Sequence, residues 1–211
     1  MNWQTKKHSE FRLIKDLKKA LKDFEPMVKD PKHLWNGRNL KNFNLLPREA
    51  WGNWLVSAVL CEISGRDVTF ADADSEKVDG YIIDRSIKAI FPTEHVSALD
   101  IPKAKKLPKG EQRIINAINL KISRGPKYSQ GKLLVAFFDG AGEFFRTKIR
   151  EAILGKHNFE AVFCVGLLNS GKDGYSYIVT EFRDSFKDQS ITHKVEINGD
   201  FTDWKISQIM A

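Results

Sequence analysis

An α/β fold with a mixed central sheet flanked by helices is predicted by two features of this sequence. From Pro47 onward, helical periodicities alternate with short runs rich in β-branched and aromatic residues. Two of these runs, at 132–138 and 159–168, are apolar throughout, which is typical of strands buried on both faces of a sheet. With 211 residues, 42% of them hydrophobic, the chain can bury such a sheet in one domain that follows a smaller appendage.

Residues 1–46 are expected to form this appendage, a helical extension followed by a connector. Between Ser9 and Phe24, apolar residues recur at three- and four-residue spacing opposite a row of lysines, which predicts an amphipathic helix that ends near Pro26. The lysine row is either a solvated face or a surface for phosphates. Because the pattern then becomes irregular up to residue 46, the main α/β domain is predicted to span residues 47–211.

Pro47 is expected to begin a long helix that ends before Gly65. Proline is favoured at the first helical position, and an acid in the first turn, here Glu49, suits the positive end of the helix dipole. The strand predicted at 67–73 follows a tight turn and should run back along this helix. The residues after that strand should therefore lie beside Glu49, whereas Glu62 is at the opposite end of the helix.

Residues 78–96 are predicted to form a β-hairpin that brings two acids together. Two β-rich runs are separated by four residues, so that Asp84 faces Ala89. In the same register Asp79 faces Glu94 at about 5 Å. Two carboxylates at that distance repel each other unless a divalent cation lies between them. The alternative is a solvent-facing hairpin with two ordinary surface acids. Pro92 cannot donate to a ladder, so it indicates an edge or a bulge near Glu94.

Positive charge is concentrated between residues 103 and 132, in a chain whose net charge is +7. Clustered positive charge is the electrostatic footprint of phosphate contact, although a lysine-rich solvated surface has the same composition. A helix is predicted within this segment from Gly110 to Arg124. The candidate nucleic-acid-binding residues are Lys103, Lys105, Lys106, Arg113, Lys121, Arg124 and Lys127.

The remaining chain is predicted to alternate strands and helices. A helix is expected at 144–154 and a further strand at 175–182, and the tail from residue 187 should add an edge strand or a closing helix. No run approaches about 18 apolar residues and the N-terminus has no apolar signal segment, so a cytoplasmic protein without a membrane span is expected. Cys61 and Cys164 match no metal spacing and are expected to be buried free thiols.

The predicted element order is helix, three strands, helix, strand, helix, strand, with Asp79 and Glu94 in the hairpin. In this order and in its two acids, the segment 47–182 resembles the PD-(D/E)xK, or restriction-endonuclease-like, nuclease superfamily. The triplet at 78–80, VDG, resembles the first half of the family motif, and EHV at 94–96 resembles the second half. The resemblance implies an αβββαβ core.

The resemblance also implies an activity, a cofactor and a partner. Asp79 and Glu94, with Glu49 directly or through water, would bind Mg²⁺ or Mn²⁺, which activates a water molecule for attack on a phosphodiester bond. The basic segment would hold the backbone of a nucleic acid, most simply double-stranded DNA. Cleavage of both strands favours a homodimer or a larger complex.

One position departs from the family motif. Val96 stands where the family has a lysine that positions the attacking water and stabilises charge on the phosphate, and valine can do neither. Lys109 and Gln112, at the start of the following helix, are the first candidates to replace it, ahead of Lys121, which lies about 18 Å farther along that helix. His95 is expected to pack on the opposite sheet face. The alternatives are an inactive nuclease-like module that binds DNA or a partner, and a basic scaffold that binds an acidic protein.

Overall fold

The main feature of the molecule is a mixed sheet of eight strands with helices on both faces. The computed structural model describes residues 15–30, 32, 45–72, 78–98, 108–139, 142–185 and 190–209. Within them the helices are α1 (Leu17–Lys29), α2 (Pro47–Ser64), α3 (Glu111–Ile122), the single turn α4 (Pro126–Ser129) and α5 (Arg146–Ile153). The strands are β1 (Val68–Ala71), β2 (Tyr81–Asp84), β3 (Ala89–Ser97), β4 (Leu133–Phe137), β5 (Ala161–Gly171), β6 (Gly174–Phe182), β7 (Ile191–Asn198) and β8 (Trp204–Ile209).

The strands lie side by side in sequence order. Strands β1, β2 and β3 form an antiparallel meander. Strands β3, β4 and β5 are parallel, and each step between them passes through helices. Strands β5 to β8 are antiparallel again. The predicted α/β class, the mixed sheet and the element order are confirmed. The tail supplies two strands, β7 and β8, of which β8 is an edge strand of the sheet.

The parallel strands are buried on both faces, as their unbroken apolar runs predict. Along β4, Val135 faces a core that contains Trp51 and Trp54 of α2. The next position, Leu134, faces a second core built around Ile114 and Ile118 of α3. The sheet therefore separates an α1 and α2 layer from an α3 and α5 layer, since successive residues of a strand point to opposite faces.

Helix α1 begins and ends later in the chain than the sequence pattern predicts. Asp16 is its N-cap, so residues 15–16 are not helical, and the predicted stretch 9–14 lies outside the described residues. The helix continues through Pro26 to Lys29, and Asp30 N still donates to the Pro26 carbonyl at 3.3 Å. Because Pro26 lies in the last part of the helix, its missing N–H removes one hydrogen bond without ending the helix. Phe24 packs edge-on against Trp51, with 5.1 Å between ring centroids, so α1 shares the core of the main domain.

The hairpin has the predicted register over its regular part, with Asp84 opposite Ala89. Beyond the strand, Asp79 N donates to Thr93 O at 2.9 Å, and Thr93 N donates to Gly80 O at 2.9 Å. Two residues thus oppose one, which is a β-bulge. The expected direct pairing of Asp79 with Glu94 is wrong in this detail, because the bulge removes Asp79 from the ladder.

Among the described helices none is both long and apolar enough to cross a bilayer. Cys61 and Cys164 are free thiols, as the sequence predicts. Cys164 is fully buried as expected, whereas Cys61 is only partly buried. Burial raises the pKa of the Cys164 thiol well above its ordinary value, so this sulfur behaves as a core side chain.

Candidate active site

Two carboxylates and one ammonium group meet at the edge of the hairpin. Lys121 Nζ lies 2.9 Å from Glu94 Oε2 and 3.7 Å from Asp79 Oδ2. The two carboxylates therefore converge on one point, although the bulge prevents them from facing each other in the ladder. The structure thus brings together Asp79, Glu94 and a lysine from another element of the fold.

Both carboxylate oxygens of Glu94 accept hydrogen bonds. Lys132 Nζ lies 2.7 Å from Oε1, while Tyr128 OH and Lys121 Nζ both donate to Oε2. The residue is only 3% exposed. Burial alone would raise the pKa of Glu94, but these three donors more than offset it and lower the pKa below its ordinary value. Glu94 is therefore an ionised carboxylate at neutral pH.

The connection between β3 and β4 explains why Lys121 and Lys132 reach Glu94. Because β3 and β4 are parallel, α3 has to run back along the sheet before β4 begins. The last turn of α3, which carries Lys121, therefore lies beside the start of β4. Lys132 directly precedes β4, and β4 pairs Leu134 with Glu94. Both lysines that contact Glu94 therefore come from the connection between β3 and β4.

Lys121 is a cation rather than a proton acceptor in this arrangement. Burial would lower the pKa of its ammonium group, but hydrogen bonds to Glu94 and Tyr128 and the charge of Asp79 raise it above its ordinary value. The side chain is 12% exposed. Its positive charge is thus available at the site at any physiological pH.

The ring of Tyr128 contacts the cationic side chains around Glu94. Three cations lie over its ring, with Lys132 Nζ 4.4 Å, Arg124 Cζ 4.9 Å and Lys121 Nζ 5.8 Å from the centroid. Burial and the Glu94 carboxylate raise the pKa of the phenol, so Tyr128 remains protonated and donates to Glu94. The aromatic ring therefore packs among cations in this structure.

Asp79 is held by both its carboxylate and its backbone. His95 N donates to Oδ2 at 2.7 Å, and Asn53 Nδ2 donates to the Asp79 carbonyl at 3.1 Å. The His95 ring points to the α2 face, away from Glu94, which confirms the expected packed histidine. Burial lowers the pKa of His95 well below its ordinary value, so the ring is neutral.

Glu49 lies in the first turn of α2, and its Oε2 accepts from Leu46 N at 3.0 Å. This bond is the structural role expected of an acid at a helix start. Burial, followed by the charge of Asp79, raises the pKa of Glu49 above its ordinary value. Asn53, one turn farther along α2, donates to the Asp79 carbonyl, so the start of α2 lies near Asp79 as expected.

The other candidates from the helix region lie in different places. Lys109 is exposed before α3, and Gln112 donates to Asn116 on the exposed face of that helix at 2.8 Å. Within the described residues, neither contacts Asp79 or Glu94. The ranking of Lys109 above Lys121 is therefore wrong, because the start of α3 lies toward the carboxyl end of β3.

The predicted nucleic-acid-binding residues divide into three groups. Arg124 and Lys127 are exposed close to the site, and Lys121 lies within it. Arg113 is 5% exposed, so it belongs to the packed face of α3 rather than to an accessible basic surface. The remaining three, at 103, 105 and 106, lie outside the described residues.

Sequence reasoning missed Lys132 and Asn53. Lys132 had a usable signal, since it stands immediately before an apolar strand that was expected to be buried in the sheet. Its relevance follows only once β4 is paired parallel to β3 in the observed register. Asn53 had no usable signal in the sequence, because a single amide within an apolar helix does not form a periodic pattern.

The donor set fits a hard divalent cation bound by two carboxylates. Asp79 and Glu94 already converge on one positive group, and Mg²⁺ commonly uses one or two carboxylates, with water and substrate oxygens completing its shell. No group of three His, Cys, Asp or Glu side chains within the described segments has a metal-binding arrangement. A metal at this site would therefore rely on oxygen atoms from water or substrate.

Comparison with known proteins found no matching family model, no matching curated protein and no matching solved structure.

Proposed function

We propose that the protein is a Mg²⁺- or Mn²⁺-dependent endonuclease that hydrolyses phosphodiester bonds in DNA. The observation that carries this proposal is the convergence of Asp79 and Glu94 on the ammonium group of Lys121. These are the three charged groups that the PD-(D/E)xK motif supplies, with the lysine arriving from α3 instead of from position 96.

The topology supports the same proposal. A helix precedes an antiparallel meander of three strands, a second helix follows, and the next strand pairs parallel to the third. This is the arrangement that a restriction-endonuclease-like αβββαβ core requires. Asp79 precedes its second strand and Glu94 lies in its third, which are the positions expected for the two motif acids.

In the proposed mechanism, Asp79 and Glu94 would hold a divalent cation, and the chemistry that such an ion would supply is activation of water and compensation of charge on the phosphate. Lys121 stays protonated, so it orients the scissile phosphate and stabilises negative charge that develops on its oxygens. Lys132 fixes the Glu94 carboxylate from the other side. Glu49, whose burial raises its pKa, contributes a third acid beside Asp79, directly or through water.

The exposed cations beside the site are suited to the backbone of a nucleic acid. Arg124 lies over the same Tyr128 ring as Lys121 and Lys132, and the exposed Lys127 directly precedes Tyr128 in the sequence. Such side chains contact phosphates and position the duplex without specifying sequence. Binding through them is expected to weaken as the salt concentration rises.

The second candidate is a nuclease-like module that binds DNA without cutting it. It is favoured by the saturation of Glu94, whose two oxygens already accept from Lys132, Tyr128 and Lys121. In that case the lysines have replaced the metal as partners of the carboxylates. DNA binding would then be salt-sensitive and independent of divalent ions.

Nicking of supercoiled plasmid separates the two candidates. We expect wild type to nick with Mg²⁺ or Mn²⁺ and not with EDTA, and Asp79→Asn and Glu94→Gln each to lower the rate by at least about 10³-fold, since each removes a metal-binding charge. Glu62→Gln is the matched control, because Glu62 is exposed at the other end of α2.

The proposal is wrong if wild type binds DNA equally with and without divalent ions and does not nick it. Equal nicking by wild type and both variants would show that the activity comes from another site or from a contaminant. The same assay on single-stranded DNA and on RNA identifies the substrate, because the phosphodiester chemistry is common to all three.

A further inference from the structure

A buried polar pair lies directly behind Asp79, on the α2 side of the sheet. His95 Nε2 and Asn53 Oδ1 are 3.0 Å apart, and Asn53 Nδ2 donates to the Asp79 carbonyl at 3.1 Å. Asn53 is fully buried and His95 is 5% exposed. Buried polar groups of this kind are costly unless each is paired, so their geometry is strongly constrained.

The hydrogen bonds fix the orientation of both side chains. Because the Asn53 amide nitrogen donates to a carbonyl, its oxygen has to be the acceptor from His95. His95 Nε2 therefore carries the proton, and Nδ1 is an acceptor without a partner among the described residues. A flip of the Asn53 amide would place nitrogen against the imidazole N–H and oxygen against the Asp79 carbonyl. The Asp79 carbonyl, which can only accept, thus selects the amide orientation, and the bond from His95 helps to hold the amide in it.

Two glycines allow this pair to approach the backbone. A Cβ at position 80 would lie 2.5 Å from Asn53 Nδ2, and Gly80 has a φ of +113°, which a side chain rarely adopts. A Cβ at position 52 would lie 2.9 Å from His95 Cε1. The chain has no side chain at either of the places where one would displace the amide or the ring.

His95 and Asn53 also hold Asp79 itself, the first at its carboxylate and the second at its backbone carbonyl. Since Asp79 lies in the bulge, the β-ladder does not determine where its carboxylate points. His95 N donates to Asp79 Oδ2 at 2.7 Å, while Asn53 holds the carbonyl of the same residue. The carboxylate is therefore placed 3.7 Å from Lys121 by contacts on its far side.

We propose that Asn53 is a positioning residue that aims the Asp79 carboxylate at the cation site, and that His95 holds the Asn53 amide in the required orientation. The effect on metal-dependent cleavage rests on the proposed function, whereas the effect on Asp79 itself does not. Outer partners of metal ligands are commonly worth about 10- to 100-fold in metal affinity or activity.

The test compares four variants by two measurements. The variants are Asn53→Ala, His95→Leu, His95→Gln, which keeps an N–H donor, and Val59→Ala, which removes buried volume from the same helix. The first measurement is the Mn²⁺ concentration that gives half-maximal plasmid nicking. The second is the hydrogen-exchange rate of the His95 backbone amide by NMR, which reports its bond to Asp79 whether or not the protein cuts DNA.

We expect Asn53→Ala and His95→Leu to raise the required Mn²⁺ concentration about 10-fold or more and to accelerate His95 amide exchange. His95→Gln should bring the required Mn²⁺ concentration and the amide exchange rate most of the way back to their wild-type values. Val59→Ala should lower the thermal midpoint without changing the Mn²⁺ requirement or the amide exchange rate. Unchanged amide exchange in Asn53→Ala would overturn the proposal. So would equal changes in Asn53→Ala and Val59→Ala, which would assign Asn53 a structural role only. If wild type does not nick, the exchange rates still decide the positioning role while the proposed function fails separately.

Discussion

The two ends of the crossover from β3 through α3 to β4 differ sharply in chemistry. At one end, which we call the site end, Glu94, Lys121 and Lys132 form a buried charged cluster. At the other, the far end, Phe138 and Phe145 help to line an open, largely apolar groove of about 870 Å³. One connection thus places charge at the start of β4 and apolar surface after its end.

Strand direction accounts for this difference. Helix α3 begins at the far end, where Gly110 packs against the Glu143 carbonyl and Glu111 pairs with Lys148 at 2.7 Å. It then runs back, so only its last turn reaches Glu94. The comparison teaches that in a parallel crossover the end of the helix, rather than its start, shares a site with the first residues of the next strand.

Of the substitutions at the two ends, replacing the lysine at the end of α3 should change the nicking rate most. Lys121→Met keeps the packing of the stem but removes the charge opposite the phosphate, so we expect nicking to fall by about 10²- to 10³-fold. Lys109→Met at the far end should leave the rate within about twofold of wild type. Plasmid nicking at saturating Mg²⁺ measures both. A larger loss in Lys109→Met would reverse the assignment of the two ends.

Lys132 should have a smaller effect, because it acts through Glu94. Removing its hydrogen bond leaves Oε1 of a buried carboxylate unpaired, which costs about 1–3 kcal/mol of unfolding free energy. We expect Lys132→Met to lower the urea midpoint accordingly and the nicking rate by about tenfold. Lys205→Met, at an exposed position of β8, is the control and should change neither. Full activity in Lys132→Met would show that Glu94 does not need this partner.

At the far end, replacing Asp139 should have the smallest effect, and it should change the free energy of unfolding without changing the nicking rate. Burial raises the pKa of this carboxyl to about 6, although it accepts from Leu167 N at 2.5 Å. Its folded pKa exceeds the unfolded value near 3.8, so the ionised group costs stability increasingly as pH rises from about 4 to above 6.

Asp139→Asn keeps the acceptor and removes that cost. We expect the variant to gain about 1–2 kcal/mol over wild type at pH 7.5, allowing for the partial exposure of the side chain, and to gain nothing at pH 4. Urea unfolding at both pH values measures this gain, with the exposed Asp173→Asn as the control. A gain that does not vary with pH would contradict the buried carboxyl, and a change in nicking would tie the far end to the site.

Local patterns in the sequence were sufficient for the elements and for the two acids. The four-residue spacing between two β-rich runs predicted the register that pairs Asp84 with Ala89, because loop length determines hairpin register. Pro92, which cannot donate to a ladder, indicated an edge or a bulge near Glu94, and the structure has a bulge there. That the bulge removes Asp79 from the ladder was not predicted, although a glycine directly after Asp79 is a signal for this. These features depend on residues close together in the chain.

The lysines of the site could not be assigned in the same way. Lys121 and Lys132 are 27 and 38 positions from Glu94, and their approach depends on the direction of α3 and on the register of β4. Neither quantity can be derived from composition or periodicity. Asn53 is harder still, since its partner is a backbone carbonyl on another element.

The delivery of Lys121 by a helix has a consequence for how this chain tolerates insertions and deletions. Adding one residue within α3 before Lys121 would turn that side chain by about 100° around the helix axis and away from Glu94. All the charged residues would still be present, in the same order, and the cluster would be lost. Helical phase, rather than the identity of the residue at position 96, is therefore what related chains with this arrangement would have in common.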